Sequence, residues 1–312
     1  MKKFLYAAQV ILAVFFSVAL LLTFFQLLGN RNPLSGFNNK KPEYNGTEEY
    51  DPVLSRLNTI TKLEKYCDSL LEAANYHVSS PEFEEQYPRI VASVVRKRFY
   101  HGYSYYGFND NYSAFLLSKL TVPGYSAVVI PGDIIKYPYA ACSQQSIVMM
   151  EVLKAKGFKT RKIGFSGNTT GHFCFEVFYN NGWHFYDTDM EPDVTVLNAY
   201  HRPGIEFLVK NMDILIKAYK KYPKEDILDL FPTYFYGPIN KFPAPRALIF
   251  HKITKILSYT SWLFFLAIFL LVRHRYKRIT GNQYVRNSRN NLTQFQSAPS
   301  PSNYPGITAP GS

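Results

Sequence analysis

Two stretches of the chain carry no charge: residues 4–28, preceded by Lys2-Lys3, and residues 256–272, followed directly by Arg273-His274-Arg275-Tyr276-Lys277-Arg278. The first is long enough to cross a bilayer with some tilt, and the second sits at the lower limit for a span. The first run ends in Phe24-Phe25-Gln26-Leu27-Leu28 rather than a small-residue cleavage site, so it is predicted as a retained anchor and not a removed signal. Basic residues before the first span and after the second mark one cytoplasmic side, which puts the segment between them outside the cytoplasm. The pattern thus predicts an anchor (1–29), a polar linker (30–50), one extracytoplasmic domain (51–245), a second span with its basic flank (246–278) and a disordered cytoplasmic tail (279–312).

Inside the domain the periodicity alternates between helical and extended. Leu57, Ile60, Leu63, Leu70 and Leu71 recur at helical spacing over 52–74, with Cys67 on the same helix as a core filler. Ser80-Pro81 predicts a second helix start, which Pro88 interrupts before 90–99 resumes it. An aromatic-rich segment, 98–112, is expected to pack beneath the helix that follows, and 126–130 is a short β-branched run. Ile147, Val148, Met150, Val152 and Leu153 give the segment after Cys142 a broad apolar helical face ended by Gly157. Residues 159–165 predict a strand, then the polar turn 166–170. Over 172–179 polarity alternates: His172, Cys174, Glu176 and Phe178 share one face, Phe173, Phe175, Val177 and Tyr179 the other. Asn180-Asn181-Gly182 predicts a tight hairpin into the returning strand 183–187. Beyond it, 205–222 reads as a helix and 231–245 as an aromatic, proline-bearing loop. A helix followed by an antiparallel meander makes the class α+β.

Charge changes the picture less than its size suggests. The net charge is +12, but Lys2, Lys3, Arg31, Arg273, Arg275, Lys277, Arg278, Arg286 and Arg289 flank the two apolar runs; without those nine only +3 remains. No broad basic face is left for nucleic acid, and the expected partner is the lipid bilayer. At 47% hydrophobic the chain is too apolar for a disordered protein. Three cysteines, Cys67, Cys142 and Cys174, are too few for a disulfide scaffold and odd in number, so at least one free thiol is expected. None forms a Cys-x-x-Cys pair, and no metal or other cofactor is expected.

The chemistry concentrates around Ala140-Ala141-Cys142-Ser143-Gln144-Gln145. A cysteine at a helix start faces unpaired N–H groups and the positive end of the helix dipole, both of which favour thiolate. The hairpin brings the start of one strand, His172, beside the end of the next, Asp187. An imidazole holding the thiol proton and a carboxylate fixing the imidazole complete a nucleophilic set. Asp189 shares the parity of Asp187 and is a rival for the third role. The backbone N–H groups of Cys142 and Ser143 are candidate oxyanion donors.

Cys142 with its helix, then Gly171-His172-Phe173-Cys174-Phe175-Glu176-Val177, then Trp183-His184-Phe185-Tyr186-Asp187, resembles the transglutaminase-like superfamily over roughly residues 138–189. Two positions depart from that pattern: Ala140-Ala141 stands where Gly or Trp usually precedes the cysteine, and Asp187-Thr188-Asp189 replaces Asp-Pro-Thr. The resemblance implies a papain-like core, with the cysteine-bearing helix packed on an antiparallel sheet. It implies Cys142 as nucleophile, His172 as general base and acid, and Asp187 as the orienting group. The expected function is a membrane-anchored, thiol-dependent acyl-transfer enzyme (protease, amidase or transglutaminase-like) acting on a peptide, protein or envelope polymer at the inner membrane, in the periplasm or exterior. The alternative is an inactive module of the same fold, serving as a binding or scaffold protein in the cell envelope. A transporter is disfavoured because neither span carries an internal acid or base.

Overall fold

A computed structural model of the chain describes residues 2–78, 80–120, 125–168 and 171–296, the last fifteen by backbone alone. Its helices are α1 (Lys2–Leu27), α2 (Ile60–Ala73), α3 (Phe83–Arg98), α4 (Tyr112–Leu120), α5 (Pro131–Ile134), α6 (Cys142–Ala155), α7 (Val194–Ala199), α8 (Ile205–Lys210), α9 (Met212–Ala218), α10 (Lys224–Leu230) and α11 (Pro245–Gln296). The strands are β1 (Lys159–Ser166), β2 (Gly171–Tyr179), β3 (Gly182–Tyr186) and β4 (Tyr234–Tyr236). The fold is α+β, and the chain divides into two compact units: residues 1–24 with 258–312, and residues 25–257.

The first unit is a pair of long apolar helices, each long and apolar enough to cross a bilayer. Tyr6 meets Tyr276, Phe15 stacks on Phe265 at 5.4 Å, and the Thr23 hydroxyl donates to the Ser258 carbonyl at 2.9 Å. As one helix ascends the other descends, so the two run antiparallel. Phe4, Phe24, Phe264 and Leu271 are each more than half exposed on the outside of the pair, a surface that water disfavours and hydrocarbon does not.

In the second unit the four strands form one antiparallel sheet in the order β3-β2-β1-β4. Both faces are covered, and the alternation of β2 sorts its residues between them. Phe175, Val177 and Tyr179 join the core built by α2, α3 and α6 around Leu63, Tyr87, Val91, Val148 and Val152. Cys174 joins the opposite core, where Leu208, Leu215, Tyr219 and Phe231 pack on Ile163, Phe165 and Phe185. Asn180 and Asn181 take positive φ (46° and 63°), the backbone a two-residue hairpin needs and asparagine tolerates. Cys67 is fully buried, and burial pushes its thiol up to about 12.

Several elements differ from the sequence expectation. Helix α3 runs unbroken through Pro88, because Tyr87, Pro88, Val91 and Val95 are all buried on one face and packing outweighs the lost hydrogen bond. The helix expected over 52–74 begins with a short 3₁₀ turn (Pro52–Arg56) and restarts at Ile60 behind the Thr59 cap. The 126–130 run makes one isolated bridge, Tyr105 to Ala127. The helix expected over 205–222 breaks at Asn211, whose side-chain amide donates to the Phe207 carbonyl at 2.8 Å. The loop expected over 231–245 contains β4, which pairs with β1 from Ile163 to Phe165; its ring at Phe235 occupies the space a Cβ on Gly164 would fill.

The linker 30–50 is not a free tether but lies on the domain. Asn32 and Asn38 bond the backbone of Phe108, Tyr44 and Tyr50 pack on Tyr100, and the Glu49 amide donates to Glu191. Helix α11 continues to Gln296, past the expected tail boundary at 279, since no proline occurs before Pro299 to stop it. Residues 297–312 of the expected tail and Thr169-Thr170 of the expected turn lie outside the described residues.

Candidate active site

Cys142 is the first residue of α6, and two glutamines hold that helix start in place. The Gln144 amide nitrogen donates to the Ser104 and Val128 carbonyls (2.9 and 2.7 Å), while its oxygen accepts from the Ser104 amide (2.9 Å). Gln145 donates to the Ala140 carbonyl (3.0 Å) and to Asp189 Oδ1 (2.9 Å). Ala140 and Ala141 are fully buried, so the chain before the cysteine passes through the core with no room for larger side chains. Cys142 itself is only half-buried. By position, the Cys142 and Ser143 amides have no intrahelical acceptor.

His172 enters from the start of β2. The β2–β3 register pairs Phe175 with Tyr186, which carries Asp187 past the strand end on the diagonal from His172. There His172 Nε2 and Asp187 Oδ2 are 2.8 Å apart, with both side chains almost wholly buried. That leaves Nδ1 as the nitrogen free for a thiol, and the Cys142 sulfur lies within 4.8 Å of a His172 ring nitrogen. Asp187 is saturated with donors: Oδ1 accepts from the Asp189 and Met190 amides (3.0 and 3.1 Å), and Oδ2 also accepts from the buried Tyr219 hydroxyl (2.7 Å).

Asp189 goes elsewhere. It accepts from Gln145 and bonds His101 Nδ1 at 2.9 Å, a second histidine–aspartate pair close to the thiol. The Cys142 sulfur, a His172 ring nitrogen and an Asp189 oxygen all lie within 4.8 Å of one another, as do ligand atoms of His172, Cys174 and Asp187. Either set is tight enough to ligate one metal ion, but in the second the histidine and aspartate are already committed to each other. His101 had no sequence signal, because it sits outside any motif in the aromatic segment after α3. All three cysteines are free.

Titration follows from burial and partners. Burial disfavours the His172 imidazolium, but the Asp187 carboxylate and its hydrogen bond carry it well above its ordinary value. Burial acts against Asp187 too, yet His172, Tyr219 and the Met190 amide hold it down at about 2. Cys174 is pushed well above its usual range by burial and stays a neutral thiol behind the histidine. The hydrogen bond to Asp189 raises His101.

These shifts make the pair a pH-dependent contributor to stability. The contribution of His172 is complete below its ordinary 6.5 and fades as pH rises through its higher folded value; that of Asp187 is complete above 3.8 and is lost as pH falls through about 2. Unfolding midpoints are expected to show a plateau from the pair between about pH 4 and 6.5. In a His172→Ala, Asp187→Ala double variant this pH-dependent component disappears. Tyr219→Phe removes one donor from a buried carboxylate and is expected to cost about 1–3 kcal/mol in denaturant unfolding, with the acid limb moving to higher pH.

A cavity of about 890 Å³ opens over the thiol, lined by Cys142, His172, His101, Asp189, Asp226 and Asp229 among others, a volume suited to a small ligand or peptide segment. The site is thus a thiol close to an imidazole that is itself hydrogen-bonded to a carboxylate, in the wall of an open cleft, on an α+β domain joined to two apolar helices. No protein-family model, curated protein or solved structure matches the chain.

Proposed function

We propose that this protein is a membrane-anchored thiol enzyme of the transglutaminase-like, papain-like type, transferring acyl groups from peptide or amide bonds outside the cytoplasm. The observation that carries the reading is the His172–Asp187 hydrogen bond with the Cys142 sulfur within 4.8 Å of the imidazole, Cys142 and His172 both lining an open cavity. In the proposed reaction the Cys142 sulfur attacks the amide carbonyl carbon, and the first-turn amides of α6 receive the developing oxyanion. His172 passes the thiol proton to the leaving amine, giving a thioester and a free amine. Water or a second amine then attacks the thioester, with His172 accepting its proton, and releases an acid or a new amide with the thiol restored. Asp187 keeps the Nε2 proton in place, so that Nδ1 faces the thiol.

The antiparallel apolar helices and the basic residues at their outer ends support a bilayer anchor with both chain ends in the cytoplasm and the domain at the periplasmic or external surface. The test is labelling of the full-length, detergent-solubilised protein with electrophilic acyl probes. The expected result is one adduct, at Cys142, absent from Cys142→Ala and slowed in His172→Ala. Equal labelling of Cys142 in the wild type and in His172→Ala would leave the fold as an inactive module.

A further inference from the structure

A second cavity, of about 550 Å³, lies between α3 and the chain that follows β3. Helical spacing puts Arg89, Ser93 and Arg96 on one face of α3 along its wall, and Arg202 approaches it from the loop after α7. Arg202 is the unusual member. It is only 4% exposed, yet among the described residues no carboxylate oxygen lies within 4.0 Å of its guanidinium. Its Nη1 makes one long contact to the Phe185 carbonyl (3.4 Å), its plane lies 4.4 Å over the Tyr186 ring, and its Nε is buried with no acceptor. Most of the other cations in the wall have partners, Lys220 with Asp193, Lys221 with Glu191, Arg96 with Glu49 and Arg89 with Glu85, while Lys97 is exposed to solvent. The Nε atoms of Arg89 and Arg96 also lack a hydrogen-bond acceptor, the nearest carboxylate oxygen to Arg96 Nε being Glu191 Oε1 at 3.8 Å.

A buried guanidinium without a counter-ion is costly, and three arginine edges short of acceptors around one cavity specify what would relieve that cost. We infer that this cavity binds a small organic oxyanion, a carboxylate or phosphoryl group, held by Arg202 with Arg89 and Arg96. The planar fork of arginine matches both groups in a two-point geometry that a lysine cannot reproduce. Ala92, Pro192, Val194 and Ala218 add an apolar patch to a wall that also carries Glu49, Glu191 and Asp193, so the ligand carries a hydrocarbon part beside its charge. The inference does not rest on the thiol chemistry.

The test is thermal unfolding of the full-length protein in detergent, titrated with inorganic phosphate or with acetate at ionic strength held constant by chloride. The expected result is a saturable rise in midpoint with at least one oxyanion, phosphate marking a phosphoryl site and acetate a carboxylate site. Arg202→Met is expected to weaken that response at least about tenfold. Should Arg202→Met not fold, the double variant Arg89→Gln, Arg96→Gln is expected to weaken it similarly. A flat wild-type titration with both oxyanions, or an undiminished response in the variants, overturns the site.

Discussion

Replacing Asp187 with asparagine is expected to slow acylation of Cys142 by on the order of 10³–10⁴-fold while leaving the protein folded. The reason lies in the donors around the carboxylate. Oδ1 accepts two backbone amides, from Asp189 and Met190, so the asparagine oxygen is drawn to that position. Its NH₂ group then takes the place of Oδ2 and donates to His172 Nε2. The imidazole is forced to carry its proton on Nδ1, towards the thiol, and can no longer accept one from it. Single-turnover rates with an acyl probe, beside an unfolding curve for the same variant, measure this. A rate within roughly threefold of wild type would mean that Asp187 does not set the tautomer.

The second large effect is expected on stability, at Glu176. This side chain is fully buried, with Oε2 bonded to Arg161 Nε (2.7 Å) and Nη2 (2.6 Å) and Oε1 accepting the Ile205 amide (2.7 Å) that opens α8. Arg161 in turn lies between the rings of Trp183 (4.2 Å) and Tyr236 (3.7 Å). The group therefore ties β1, β2, β3, β4 and α8 together. Glu176→Ala leaves a guanidinium without its counter-ion and a helix start without its acceptor, and is expected to cost about 3–5 kcal/mol in denaturant unfolding. Replacing both partners, with Arg161→Met and Glu176→Leu, is expected to recover most of that loss, because an apolar pair needs no compensation. A loss below about 1 kcal/mol for Glu176→Ala would place the pair with ordinary surface bridges.

What was legible in the sequence was what periodicity and turn chemistry encode. The alternation from His172 to Tyr179, the Asn180-Asn181 turn and the apolar face behind Cys142 each specify local structure, and together they bring residues 142, 172 and 187 to one place. What was not legible depends on contacts distant in sequence. β4 is three residues between Pro232-Thr233 and Gly237, and it is a strand only because β1 offers an edge. Pro88 breaks an isolated helix but not one whose buried face is already paid in packing. The 30–50 segment looks like a tether by composition, and is held by asparagine and tyrosine contacts that leave no periodic trace. His101 escaped for the same reason: nothing near it in sequence signals Asp189. The choice between Asp187 and Asp189 turns on where β3 ends. Register alone would set Asp189 opposite His172, but the chain leaves the strand after Tyr186 and folds the Asp189 and Met190 amides back onto Asp187. Asp187 then bonds His172, while Asp189 turns to His101 and Gln145.

The most direct measurement is the rate of Cys142 alkylation by iodoacetamide as a function of pH, in wild type and in His172→Ala. If imidazole and thiol act as a pair, wild type reacts rapidly at neutral pH and below. The variant is then expected to lose about 10²-fold or more and to regain rate only near the ordinary thiol range of about 8.5. Two superimposable profiles would contradict the pairing and, with it, the thiol chemistry proposed for this site.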